Sequence, residues 1–212
     1  MNTTNNLYPI FLKLKDKQVL IIGGGLIALQ KLVGLINTEA KLKVIAPTII
    51  DEIYECEGEF PYKRKIEFIE REYDWGDELN SFLVIAATNN PEMNNAIANR
   101  CRDQGILVNS VDEPEHCDFY VASIVEYESI KIAISTNGDA PSVAQKMRLD
   151  LQRNFVEKYS KLIPVISEFR TKVQEKISDE KQFSRRSKLI RWFTERQFKK
   201  LGKEANAEKQ SS

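Results

Sequence analysis

From residue 18 to about residue 112 the chain alternates short, β-rich apolar runs with longer segments whose apolar residues recur at helical spacing. "QVLIIG" reads as a strand. It is followed by a helix from about Leu26 to Asn37, with Leu26, Leu29, Val33 and Ile36 along one apolar face. "KLKVIAP" is a second strand, stopped by Pro47, and "KIEFIER" alternates Ile66 and Phe68 with charged neighbours. "SFLVIAAT" is a continuous apolar run suited to a strand covered on both faces. The next helix starts at Pro91 with Asn89 or Asn90 as its cap, carries Met93, Ile97 and Cys101, and ends at Gly105. "ILVNSV" closes the series. Strands alternating with helices in this way predict an α/β fold: a parallel sheet with helices on both faces, joined by right-handed crossovers.

After Asp112 the rhythm changes. "DFYVASIVEYESIKIAIST" holds two β-rich runs separated by "EYES", the pattern of a hairpin. From Pro141 onward the pattern is helical, with breaks expected near Pro164, around "SDEKQFS" and at Gly202, and a frayed end in "KEANAEKQSS".

Between the first strand and the first helix stand Gly23, Gly24, Gly25 and, three residues on, Ala28, which fit GxGxxA. Gly23 permits a tight turn, Gly25 lets the backbone approach a pyrophosphate, and the small Ala28 lets the helix pack close to the sheet. The helix N-terminus at Leu26 and Ile27 offers N–H groups and a partial positive charge to phosphates. The other reading is a structural tight turn. A carboxylate that would bind an adenine ribose is missing from the end of the second strand, where Ala46 and Pro47 stand. The ribose is then left to backbone groups and Thr48, and the absence of Arg there disfavours a 2′-phosphate.

Ligands of open parallel sheets bind outside the carboxyl ends of the strands, so Thr88, Asn89, Asn109 and Asp112 are expected to face one crevice. Asp112, directly after a buried strand, is a candidate general base, or a cap for the turn before Pro114. In "STNGDAPSVAQKMR" a strand ends at Ser135 and Thr136, and Pro141 opens a helix whose N-terminus suits a carboxylate or phosphate, with Lys146 and Arg148 one or two turns in. A plain junction turn explains the same spacing.

Composition narrows the picture. The chain has 212 residues, 42% apolar and 29% charged, enough for a sizeable core. It shows no membrane-length apolar run and no signal-peptide pattern, so the cytoplasm is the expected location and no membrane partner is expected. Cys56, Cys101 and Cys117 lack CxxC pairing and read as reduced thiols. His116 is the only histidine, which argues against a metal site, and no GxSxG elbow is present. The net charge of zero hides a split: 13 basic against 22 acidic side chains over residues 1 to 145, a net −9, and 18 against 9 over 146 to 212, a net +9. A basic rear half is either a solvated helical tail or a surface that attracts a polyanion.

The order of these pieces resembles the precorrin-2 dehydrogenase family, the NAD-dependent enzymes that also form the N-terminal part of multifunctional siroheme synthases. The matching stretches are "YPIFLKLKDKQVLIIGGG", "FLVIAATNNPEMNNAIANRC", "ILVNSVDEPEHCDFYVASIV" and "IKIAISTNGDAPSVAQKMR", together most of residues 8 to 148. The resemblance implies a Rossmann-like NAD-binding domain over 1–113, a hairpin dimerisation region over 114–148, and a helical C-terminal domain over 149–212. It implies a homodimer and NAD-dependent oxidation of precorrin-2 to sirohydrochlorin. Asp112 falls where the family has its essential carboxylate, and the small residue followed by proline after the second strand is a family trait. The cofactor residues are then Gly23, Gly24, Gly25, Leu26, Ile27, Ala46, Pro47, Thr88 and Asn89, and the substrate residues Asn109, Ser135, Thr136 and Lys146. Precorrin-2 carries eight carboxylates, which suits the basic rear half and implies no nucleic-acid partner. The chain departs from the family at Leu29, Gln30, Asn137, Ala140 and Gln145. An iron-inserting bifunctional enzyme, a non-catalytic NAD-sensing module and a dehydrogenase of a small metabolite are the alternatives.

Overall fold

The computed structural model describes residues 7–57, 66–111, 114–154, 159–178 and 182–210. The chain divides into two units, residues 1–121 and residues 122–212.

In the first unit five parallel strands, β1 (Gln18–Ile22), β2 (Lys41–Ala46), β3 (Glu67–Glu70), β4 (Leu83–Ala86) and β5 (Leu107–Ser110), lie in the order β3-β2-β1-β4-β5. Register runs Ile22↔Ile45 between β1 and β2 and Ile22↔Ala86 between β1 and β4. Alternate residues feed two cores, as the period of a strand requires. Val19, Ile21, Val44 and Ile85 pack with Ala28 and Leu32 of α1 (Leu26–Leu35) and Ile53 of α2 (Asp51–Glu55). Leu20, Ile22, Val84 and Val108 pack with Ile97, Ala98 and Cys101 of α3 (Pro91–Asp103). Helices therefore cover both faces of the sheet, the doubly wound arrangement read from the alternation of elements.

The expected face of α1 needs correction. Ala28 and Leu32 are its buried residues, while Leu26 and Val33 are 72% and 55% exposed. The helix is apolar nearly all round, so spacing alone does not select a face; the small Ala28 does, because it allows the closest approach to the sheet. At α3 the expectation holds: Asn90 is the cap, its Oδ1 accepting from the Met93 N–H at 3.1 Å, and Pro91 opens the helix.

In the second unit β6 (Ser123–Tyr127) and β7 (Ile130–Ile134) form the antiparallel hairpin, and Val125, Ile134 and Ala144 of α4 (Pro141–Asn154) make a small core. Asn137 has φ 58°, the left-handed region that glycine favours and that asparagine tolerates best among other residues, which explains how it substitutes there. Two further helices follow, α5 (Leu162–Lys176) and α6 (Phe183–Gln210), joined by Phe169 stacked on Phe193 with ring centroids 3.8 Å apart. The break expected near Pro164 is present: a turn at Lys161 precedes α5. Pro164 sits in the first turn of α5, where its missing N–H has no intrahelical acceptor. Gly202 lies inside α6, which continues to Gln210, so no break is observed there, and the last two residues of the expected frayed end lie outside the described residues; a single internal glycine costs only about 1 kcal/mol, too little to end a long helix.

Candidate dinucleotide site

The glycine turn sits where β1 borders β4, the point at which the strand order reverses, and neighbouring backbone holds it on both sides. The Gly23 N–H donates to Ile45 O at 2.9 Å and the Ile50 N–H to Gly24 O at 3.0 Å, tying the turn to β2 and the loop after it. On the other side the Ala87 N–H donates to Ile22 O at 2.8 Å. Space is absent at two of the three glycines. Gly23 has φ 131°, and a Cβ there would stand 2.1 Å from Ala87 O; a Cβ on Gly24 would stand 2.1 Å from Thr48 O. At Gly25 a Cβ would meet nothing within 4 Å.

That open volume fits a dinucleotide pyrophosphate. Gly25 is the cap residue of α1 and no side chain caps the helix, nor does its first turn contain an acidic residue. The N–H groups of Leu26, Ile27 and Ala28 precede the first intrahelical bond, from Leu29 N–H to Gly25 O at 3.0 Å, so they face outward with the positive pole of the helix. Ala46, nearly buried at 3% exposure, and the exposed Pro47 and Thr48 border the turn through the Gly24 contact.

Thr88 stands beside Gly23 at the end of β4, and its side chain is committed locally. The Thr88 N–H donates to Asn94 Oδ1 at 3.0 Å, Asn94 Nδ2 returns a bond to Thr88 O at 3.1 Å, and the hydroxyl lies 2.7 Å from Asn94 Oδ1. Asn94 is buried in α3 and fixes the β4 exit; it was not singled out in the sequence, where one asparagine of four in "NNPEMNN" carries no signal. Asn89 is exposed next to it.

At the end of β5 the chain folds back on itself. The Val111 N–H donates to Ala86 O at 2.9 Å, the Asp118 N–H to Val108 O at 2.9 Å, and the Cys117 thiol to Ser110 O at 3.1 Å. Asn109, expected to meet substrate, spends its Nδ2 on Phe119 O at 2.9 Å, while its Oδ1 and the Ser110 Oγ are buried without a hydrogen-bond partner among the described residues. Asp112 lies outside the described residues. Burial pushes the Cys117 thiol upward, and Cys101, on the buried face of α3, is raised by burial to about 12.

Sequence reasoning also missed an ionic cluster in the loop before β4. Glu78 is fully buried; its Oε2 accepts from the Tyr73 hydroxyl at 2.5 Å and the Gly76 N–H at 2.9 Å, and its Oε1 from Arg100 Nε at 2.8 Å. Burial alone would raise this carboxyl, yet the Tyr73, backbone and Arg100 hydrogen bonds together hold it below the usual range. The cluster anchors the loop to α3 rather than lining the turn.

Ser135, Thr136 and Lys146 belong to the second unit. Ser135 Oγ accepts from the Asn137 N–H at 3.1 Å and Thr136 Oγ1 from the Ala140 N–H at 3.2 Å, so both hydroxyls shape the turn before α4. Lys146 pairs with Asp150 at 3.3 Å on the solvent side.

An open, uncapped helix N-terminus behind a glycine turn, at the switch point of an open parallel sheet, is the arrangement of a dinucleotide-binding α/β protein. The chain belongs to the family described as putative NAD(P)-binding, whose model matches residues 10–123. It is similar to the siroheme synthase of Thioalkalivibrio sulfidiphilus, 31% identical over 82% of this chain and 35% of that protein, and to the siroheme synthase of Psychrobacter arcticus, 38% identical over 81% of this chain and 31% of that protein. The chain thus spans about a third of the length of the curated relatives it matches. The solved structure of SirC, precorrin-2 dehydrogenase, shares the fold with a TM-score of 0.71 at 24% identity, covering 93% of this chain and all of that one. No described helix is long and apolar enough to cross a membrane.

Proposed function

We propose that the protein is a precorrin-2 dehydrogenase that uses NAD. The observation that carries this reading is the turn at Gly23, Gly24 and Gly25, built for a pyrophosphate, in a chain whose similarity to siroheme synthases runs over four fifths of its length. NAD supplies the hydride acceptor. The residues at the end of β2, Ala46, Pro47 and Thr48, include no arginine to pair a 2′-phosphate, which favours NAD over NADP. Gly25, Leu26 and Ile27 bind the phosphates through backbone N–H groups, and Ala46, Pro47, Thr88 and Asn89 border the nucleoside.

Oxidation removes two hydrogens from the macrocycle, one as a hydride, for which bound NAD would be the acceptor, and one as a proton, which a base of the chain must take. Asp112 takes the proton. What supports that role is the anchoring of both flanks of residues 112–113 to the carboxyl ends of β4 and β5, by Val111 on one side and Cys117 on the other. Asn109, Ser135, Thr136 and Lys146 hold the substrate, within an NAD-binding domain over 1–113, a dimerisation region over 114–148 and a helical domain over 149–212. A homodimer through the hairpin region is supported by the exposure of Ile124 and Tyr127 on β6 and Val143 and Met147 on α4. The cytoplasm is the expected location. Adding precorrin-2 and NAD to the protein is expected to raise absorbance at the NADH band, and Asp112→Ala to abolish that rise while NAD affinity stays within a few-fold. Near-normal turnover of the variant removes Asp112 from the mechanism, and no NADH from the unaltered protein overturns the reading.

A further inference from the structure

We propose that the outward face of α6 is a binding surface for a planar, polycarboxylated tetrapyrrole, centred on Trp192; the choice of tetrapyrrole rests on the dehydrogenase reading.

The face is set by how α6 packs. Phe193 stacks on Phe169 of α5, and Phe198 lies 5.6 Å from Tyr159, so these two rings mark the inner side of the helix. On a helical wheel the opposite side carries Arg185, Lys188, Trp192, Arg196 and Lys199. Taken from Trp192 the cations stand seven and four residues before and four and seven residues after. At the rise of a helix those offsets place cations about 6 Å and about 10 Å along the axis on each side of the indole. All five side chains are exposed, Trp192 by 52%. Among the described residues none of the four cations pairs with a carboxylate, although Glu195 lies at the edge of the stripe. Among the described residues Arg185 donates to Gln182, at 3.4 Å.

An exposed tryptophan ringed by unpaired cations matches one kind of ligand well: a flat π-system with carboxylates around its rim. The Arg196 guanidinium sits over the indole, 5.6 Å from the ring centroid, and the half-exposed ring offers surface for stacking. Carboxylates at the ligand rim then reach Arg185, Lys188 and Lys199, with arginine able to take them bidentately. A single-stranded nucleic acid is a poorer match, because tracks for successive bases present several stacking rings in line, and Trp192 is the one aromatic residue on this stripe.

The chain has two tryptophans, so the full-length protein carrying Trp75→Phe reports on Trp192 alone. Titration with uroporphyrin, a stable octacarboxylate porphyrin, is expected to quench that fluorescence saturably. Adding Arg185→Gln and Arg196→Gln is expected to weaken binding at least tenfold, and a dicarboxylate porphyrin to bind at least tenfold more weakly than the octacarboxylate. Absence of quenching overturns the proposal. So does quenching that the two arginine substitutions leave unchanged, which places the porphyrin elsewhere, or displacement of the porphyrin by an equal concentration of single-stranded RNA octamer, which marks a nucleic-acid surface. NADH formation from precorrin-2 by the same preparations judges the dehydrogenase reading separately: turnover without quenching sinks only this surface, and quenching without turnover sinks only that reading.

Discussion

Three adjacent glycines serve three different purposes, and only the surroundings of each reveal which. Gly23 and Gly24 are glycine because backbone carbonyls of Ala87 and Thr48 occupy the space a side chain needs, whereas Gly25 opens onto solvent. Gly23→Ala and Gly24→Ala are therefore expected to destabilise the protein by more than about 2 kcal/mol, measured by urea unfolding, through strain and displaced backbone. Gly25→Ala is expected to leave stability within about 0.5 kcal/mol and to lower NAD affinity at least tenfold by calorimetry. Unaltered NAD affinity in that variant means the pyrophosphate does not approach Gly25. The sequence motif placed the turn between β1 and α1, and the space at Gly25 is open; that Gly24 is sterically required was not legible, because its neighbour Thr48 is separated in sequence and acts through its carbonyl.

At the scale of elements, the strands were readable because buried parallel strands are continuous apolar runs, and α3 was readable because Asn90 and Pro91 announce its start. What sequence did not show are contacts that depend on side chains meeting across elements. Thr88 and Asn94 look like two more polar residues in an asparagine-rich stretch, and Glu78 and Arg100 stand 22 residues apart. Glu78 offers a direct test. Its folded-state value lies below that of an unfolded glutamate, so its contribution to stability is present above the unfolded value of about 4.3 and is lost as pH falls through the lower folded value. Glu78→Gln is expected to cost about 3 kcal/mol near neutrality, the low end for a buried pair because Arg100 remains 40% exposed, and the two proteins are expected to converge in urea midpoint as the pH falls below the unfolded value and through the lower folded one. A gap between them that persists through that range excludes the carboxylate as its source.

On the scale of the whole molecule, the division after Val121 assigns the cofactor turn and both sheet cores to one unit. A chain ended at Val121 is expected to fold cooperatively and bind NAD within about tenfold of the intact protein, by circular dichroism and calorimetry; an unfolded product shows that the first unit depends on the second. The charge split read from the sequence carries over to the elements: between Phe183 and Lys200, α6 holds seven basic residues and the single acid Glu195. Where along the helix those charges gather was not legible until the packing of Phe193 and Phe198 fixed which side faces outward. The cysteine on the buried face of α3 has a practical corollary. With Cys101 fully enclosed and its thiol raised by burial, alkylation at this position proceeds through opening of the α3 core and clocks how often the sheet sheds its cover.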